Sequence, residues 1–209
     1  MTDTDVREAI VAERRELAAV LSGLPTQMWD AQTLCAGWRV REVVAHMTMP
    51  FRYSIPQSMV ELLKARGNFN KMADRCARRD AASLPAGELA AALGDNASHP
   101  WKPPGGGFEG ALTHDVVHGL DFTVPLGIDR KIPEDRLRIV LRGLSTSKRL
   151  KFFGVDLRGI ELRADDTDWS LGSGTPVSGT AQDLVLVLCG RRLPTGRLRG
   201  ELSERFTDA

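Results

Sequence analysis

Two of the four histidines in this 209-residue chain lie four positions apart, within the stretch Thr113–Asp121. Positions i and i+4 of a helix share one face, so a helix here would present His114 and His118 side by side. Asp121 follows His118 by three positions and falls on the same side. An apolar stripe borders this polar cluster and consists of Val117, Leu120 and Val124. Two imidazoles at the edge of a buried stripe are half of a metal site.

His46 is the candidate for the third ligand because it lies at the edge of another helical pattern, Trp38–Met47. The buried face of that pattern is formed by Val40, Val43, Val44 and Met47. Three imidazole nitrogens would leave an open position on zinc for water or for a thiol. Asp121 would then orient His118 or His114 by accepting a hydrogen bond. The alternatives stay open at this point: hydrogen-bonded core histidines, and a surface carboxylate at Asp121.

Other reactive side chains are weaker candidates. His99 lies in a loop of proline and glycine, residues 98–107, and is not expected to bind a metal. Cys35 precedes a helix, which would lower the pKa of its thiol, but a small buried side chain in the Cys-Ala-Gly-Trp turn is the preferred explanation. The helical wheel places Asp115 away from the histidine pair, towards solvent. The sequence contains no Gly-x-Ser-x-Gly, so a serine triad is not supported.

Composition excludes several classes of protein. The formal net charge is +1, from 28 basic and 27 acidic residues, so no nucleic-acid partner is expected. The longest apolar run, Leu184–Cys189, is too short to span a bilayer, and the acidic N-terminus is not a signal peptide. Three distant cysteines without a Cys-x-x-Cys favour a reducing cytoplasm.

The order of elements predicts two domains. Residues 1–127 contain four helical regions: a first helix that Thr4 can cap, a second from Val40 that Pro50 disturbs, alanine-rich segments up to residue 97, and the histidine helix. Residues 128–209 predict a small α+β unit. It has a helix over 133–151, strands at 159–164, 169–171 and 177–179, and a final helix capped by Thr180. The fold class is therefore mostly α, a four-helix bundle followed by a short antiparallel sheet with helices.

Three segments resemble a known family. Cys35–Met47 resembles the Gly-Trp-x-Val-x-(Asp/Glu)-Val-x-x-His-(Leu/Met) segment of the actinobacterial mycothiol-dependent maleylpyruvate isomerase family, within the DinB-like metal-binding superfamily. His114–Asp121, followed by Leu126 and Gly127, resembles the ligand helix of that family. Ala181–Arg191 resembles its C-terminal unit, where a helix ends in Gly-Arg.

The resemblance implies a DinB-like four-helix bundle whose zinc site is formed by His46, His114 and His118. It also implies mycothiol as a cosubstrate, because a metal that binds the thiol sulfur stabilises the thiolate near neutral pH. In the isomerase the first position of the ligand helix is glutamate, whereas here it is His114. Three histidines are similar to the pattern of other superfamily members, some of which resemble thiol S-transferases. Arg191 would bind an anionic group of the thiol or substrate, or else stabilise the C-terminus of its helix.

The expected function is therefore a zinc- and mycothiol-dependent thiol S-transferase or isomerase that acts on a small electrophile. Asp121 and Arg191 are the candidate catalytic side chains. Two other functions stay open: a non-catalytic metal-binding or stress protein of the DinB-like type, and a metal-dependent hydrolase that works without a thiol.

Overall fold

The computed structural model describes residues 2–208, which form two compact units divided between Phe122 and Thr123. The described residues are mostly helical and include a small three-stranded sheet, as the sequence predicts. Among these residues, no helix is both long and apolar enough to cross a membrane.

The N-terminal unit is built from helices. Their bounds are α1 Asp3–Ser22, α2 Val40–Arg52, α3 Ile55–Lys64, α4 Phe69–Ser83, α5 Ala86–Asp95 and α6 Gly107–Thr123, with a short 3-10 helix at Thr26–Asp30. Helix α1 packs against α5, and α2 packs against both α4 and α5. The predicted helical bundle is confirmed, but Thr4 is not the cap of α1. The Thr2 side chain accepts a hydrogen bond from the Asp5 backbone, so the helix begins two residues earlier than predicted.

The chain between the second and fourth helices has its own local structure. Pro50 lies inside α2 without ending it, and α2 stops at Arg52. Ser54 then caps α3 by accepting from the Gln57 backbone, while the Gln57 side chain accepts from Ser54 in return. This reciprocal cap starts a new helix rather than continuing the old one.

The C-terminal unit contains α7 Glu134–Leu144, α8 Ser147–Phe153, β1 Ile160–Ala164, β2 Ser170–Gly172, β3 Thr175–Gly179, α9 Ala181–Leu188 and a 3-10 helix at Ser203–Phe206. The single helix expected over 133–151 is two helices, because Thr146 caps α8 through the backbone of Arg149. The cap predicted at Thr180 is confirmed and starts α9. Helix α9 is buried along its whole length and packs on α7 and β1.

The sheet is mixed, so the prediction of an antiparallel sheet is wrong for one of its two strand pairs. The strand order is β2-β1-β3, with β2 antiparallel and β3 parallel to β1. After β2 the chain passes tightly around the start of β1 and reaches its other edge. A Cβ at Gly174 would lie 2.3 Å from the Gly159 backbone, and one at Gly172 would lie 2.4 Å from the carbonyl oxygen of Ile160. Alternation of apolar residues predicts a strand but not its neighbour, and these glycines make the close crossing possible.

Candidate metal centre

His46 is positioned by a buried face of α2. Val40, Val43, Val44 and Met47 of α2 are all at most 1% exposed and fix the rotation of the helix. His46 itself retains 9% exposure, at the edge of that face. Its ring lies 5.2 Å from the ring of Trp38, measured between centroids.

Hydrogen bonds hold the loop before α2 against both α4 and α6. The Trp38 indole N–H donates to Asp74 of α4 at 2.8 Å, and the Leu34 backbone N–H donates to the Asp121 carbonyl of α6 at 2.9 Å. At the start of α2, the Glu42 side chain accepts from the Arg39 backbone at 2.8 Å and pairs with its guanidinium. The loop therefore fixes α2 with respect to α6 near the histidines.

The three predicted ligands meet. Ligand atoms of His46, His114 and His118 all lie within 4.8 Å of one another. The Nε2 atoms of His46 and His114 are 3.2 Å apart. The ring centroids are separated by 4.7 Å for His114 and His118, 4.9 Å for His46 and His118, and 5.1 Å for His46 and His114. Two successive turns of α6 and one turn of α2 thus supply the cluster.

Asp121 lies against His118, inside the protein. Its Oδ2 is 2.9 Å from Nδ1 of His118, and the residue is fully buried. A surface carboxylate at this position is therefore excluded. A carboxylate beside Nδ1 accepts the N–H of the neutral ring and leaves the lone pair on Nε2.

Asp115 was expected to face solvent, and this expectation is wrong. It is 1% exposed, and its Oδ1 is 2.9 Å from Nδ1 of His114. Its other oxygen accepts from Nε of Arg14 at 2.7 Å, a residue of α1 that is itself fully buried. Asp115 is buried although it lies away from the histidine pair on the helical wheel, because α6 is buried on several sides and has no broad solvent face here.

Arg14 is the residue that the sequence reading missed. It occupies a position in the apolar stripe of α1, between Ile10 and Leu17, where a solvent-facing cation does not belong. A charge inside such a stripe indicates a buried partner. That signal was available in the sequence, although it does not name the partner.

The donor set fits a zinc ion. Because buried carboxylates hold the Nδ1 atoms of His114 and His118, both rings direct Nε2 lone pairs into the cluster. Ligands at ~2.0–2.1 Å in tetrahedral geometry lie about 3.3 Å apart, close to the observed 3.2 Å between Nε2 atoms. Asp115 and Asp121 carry two negative charges and Arg14 carries one positive charge. The three side chains together are therefore negative by one charge, which favours a bound cation.

The remaining candidates lie outside this cluster. The ring of His99 lies 5.1 Å from that of Phe51 between centroids, at a tilt of 53°, and its Nδ1 accepts the Trp101 backbone N–H. Burial and the nearby Arg14 charge lower the pKa of His99, which favours a neutral ring at neutral pH. The carbonyl of Cys35 accepts from the Trp38 backbone N–H in a turn. In the C-terminal unit, Arg191 donates to the carbonyl of Cys189 at the end of α9.

Residues 10–100 match the family described as the mycothiol maleylpyruvate isomerase N-terminal domain. No curated protein matches the chain. Among solved structures, the mycothiol-dependent maleylpyruvate isomerase aligns with 15% identity and a TM-score of 0.60, over 97% of this chain and 94% of that one. A histidine-to-alanine mutant of that enzyme aligns with 14% identity and a TM-score of 0.59, over the same shares.

The two comparisons cover different parts of the chain. The family match includes His46 but ends before His114 and His118, whereas the structural match covers nearly the whole chain and concerns the fold. The predicted DinB-like bundle is consistent with both. Residues 10–100 are thus similar to the mycothiol maleylpyruvate isomerase N-terminal domain family, and the overall fold is that of the solved isomerase.

Proposed function

We propose that the chain is a metal-dependent enzyme that uses mycothiol to attack a small electrophile. The observation that carries the proposal is the convergence of three imidazoles, two of them held through Nδ1 by buried carboxylates, in a chain similar to this family. His46, His114 and His118 would hold the ion, which we take to be zinc. A zinc ion bound there would supply Lewis-acid stabilisation of a thiolate near neutral pH.

The protein's own residues would keep the centre ready for a thiol. Asp121 and Asp115 hold two rings in the tautomer that binds a metal, so the rings need no rearrangement when a ligand arrives. The rings of Trp38 and Trp101 lie 5.2 Å and 5.0 Å from His46 and His114. These apolar surfaces reduce the water around the cluster, which strengthens electrostatic interactions within it.

Two reactions share the same first step. The thiol loses its proton and its sulfur forms a C–S bond to the electrophile. In an S-transferase a leaving group then departs with the bonding electrons. In an isomerase, sulfur adds to one carbon of a double bond, the resulting single bond rotates, and the C–S bond breaks to restore the alkene. We favour S-transfer because His114 occupies the position that is glutamate in the isomerase.

The first experiment measures zinc per chain. We expect about one equivalent in the wild-type protein and loss of most of it in His46→Ala, His114→Ala and His118→Ala. Asp80→Asn is the control, since it alters a buried side chain of the same unit that bonds to Arg52 and Tyr53 and to no histidine. Zinc retained by all three ligand variants, or absent from the folded wild-type protein after zinc is added, would contradict the metal centre.

The second experiment separates the functions. Purified zinc protein is mixed with mycothiol and either maleylpyruvate or a chlorinated aromatic electrophile, and free thiol and product are followed. Net thiol consumption supports S-transfer, and catalytic isomerisation without net consumption supports the isomerase. Hydrolysis without added thiol favours the hydrolase. Bound zinc with no reaction in any assay favours the non-catalytic metal-binding protein.

A further inference from the structure

Arg14 is a cation buried in the middle of α1, with its contacts divided between two parts of the site. Its Nε donates to Asp115 at 2.7 Å, and both side chains are at most 1% exposed. Its Nη1 lies 2.9 Å from the carbonyl oxygen of His99 and 3.3 Å from that of Ala97. Its Cζ lies 4.9 Å from the ring centre of Phe51. Arg14 thus links α1, α6 and the segment that follows α5.

The contribution of this buried ion pair to the stability of the fold does not by itself explain its presence. Removing two charges from water costs about as much as their attraction returns, and well-packed apolar residues often replace such a pair without loss. A buried pair next to a candidate metal ligand therefore suggests a role in positioning. Both oxygens of Asp115 are in use: Oδ2 accepts from Arg14, and Oδ1 faces Nδ1 of His114.

The second arm of Arg14 reaches the chain that leads to Trp101. The carbonyls of Ala97 and His99 point at Nη1, and the Trp101 backbone N–H donates to Nδ1 of His99. The Trp101 ring then lies 5.0 Å from the ring of His114, measured between centroids. One guanidinium therefore supports His114 from two sides.

We propose that Arg14 is a positioning residue for the centre. By occupying Oδ2 of Asp115, it directs Oδ1 at His114, which keeps that ring in the Nδ1–H tautomer with its Nε2 lone pair facing His46 and His118. By binding the 97–99 carbonyls, it also holds the segment that places Trp101 against the same ring. This inference deepens the metal centre proposed above. Its tautomer part can be tested without metal or activity.

The test exploits the difference between a carboxylate and an amide. In Asp115→Asn the Arg14 guanidinium donates to the single amide oxygen, so the amide NH2 faces Nδ1 of His114. We expect His114 to change to the Nε2–H tautomer. In the double variant Arg14→Met/Asp115→Asn the amide oxygen is released and can accept again from Nδ1–H. We therefore expect the second substitution to restore the original tautomer.

The readout is nitrogen-15 NMR of labelled histidine in metal-free protein near pH 8, above the ordinary histidine pKa of about 6.5. The His114 signals are assigned from the spectrum of His114→Gln. The matched control is Asp80→Asn, which alters another buried carboxylate of the same unit, bonded to Arg52 and Tyr53 and to no histidine. Its histidine spectrum should match that of the wild type.

A second readout is zinc affinity, measured by competition with a chelator. Arg14→Lys keeps the charge but lacks the fork needed to reach both Asp115 and the two carbonyls. We expect its affinity to fall about 10- to 100-fold, as for other supports of metal ligands. Arg75→Lys is the control, since Arg75 pairs with Glu61 and also bonds its carbonyl, far along the chain from any histidine. It should stay within about twofold of the wild type.

Each outcome decides the proposal. A tautomer change in Asp115→Asn that the double variant reverses supports it, and a merely structural ion pair would not produce that reversal. An unchanged His114 tautomer in folded Asp115→Asn overturns it. If Asp115→Asn does not fold, Arg14→Lys decides, and unaltered zinc affinity overturns the proposal. Failure of the thiol assays would contradict the proposed function and leave the NMR result valid.

Discussion

At the scale of single residues, spacing in the sequence was enough to find the three histidines and Asp121, but not the support that Asp115 and Arg14 give to His114. His114 and His118 follow from helical periodicity, which acts over one turn. Asp115 and Arg14 are 101 positions apart, and no local rule connects them. The charge in the apolar stripe of α1 indicated that a partner exists, while only the packing of α1 against α6 identifies it.

Asp121 provides the first prediction at this scale. Replacing it by alanine removes the acceptor at Nδ1 of His118, so we expect zinc affinity to fall about 10- to 100-fold. Asp121→Asn should be intermediate, because its amide oxygen can still accept the Nδ1–H. Chelator competition measures both variants. Asp80→Ala, another buried carboxylate without a histidine contact, should leave the affinity nearly unchanged, and an equal loss there would contradict the role of Asp121.

At the scale of elements, the sequence predicted which segments are helices and strands better than it predicted their pairing. Capping residues act locally, and the sequence predicted the cap at Thr180. The caps at Thr146 and Ser54 are equally local, although neither was predicted. The parallel pairing of β1 and β3 is different, because it depends on a crossing around Gly159 that no alternation pattern encodes.

The contact between α3 and α4 gives a prediction about acid stability. Lys64, Arg75 and Arg79 surround Glu61 and lower its pKa from the ordinary 4.5 to about 2. Because the folded pKa lies below the unfolded one, this contribution to stability is complete above pH 4.5. It is lost as the pH falls from about 4.5 to about 2.

Glu61→Gln should therefore lower the free energy of unfolding at pH 7, on the order of 1 kcal/mol because the basic partners are well exposed. The difference from the wild type should shrink below pH 4.5 and disappear near pH 2. Urea denaturation at several pH values measures it. Glu8→Gln, at an exposed position of α1, is the control, and a Glu61 effect independent of pH would contradict the assignment.

At the scale of the whole molecule, the fold class followed from the order of helical and alternating patterns. The described residues form two compact units that divide between Phe122 and Thr123, inside α6. The sequence places a domain boundary after residue 127, where proline and glycine at positions 125 and 127 follow the helix, and that boundary stays a prediction.

Zinc should stabilise the folded chain by mass action. At a free zinc concentration a hundred times the dissociation constant, the gain is about 2.7 kcal/mol. For a chain of this size that corresponds to an increase in Tm of roughly 5–10 °C. Calorimetry with zinc and with a chelator measures the difference. His118→Ala should show no increase and Asp80→Asn the full one; an equal increase in both would contradict a centre that depends on His118.

The buried pair of Arg14 and Asp115 also has a consequence for the order in which the chain assembles during its synthesis. Arg14 and His46 leave the ribosome long before α6 does. Until Asp115 arrives, burying the Arg14 guanidinium would mean removing an unpaired charge from water, which is strongly unfavourable. The first helix therefore cannot complete its packing with the early helices alone. The first helix can dock fully only when α6, which carries His114 and His118, has been synthesised. The core of the unit and its cluster of histidines are therefore completed in the same step.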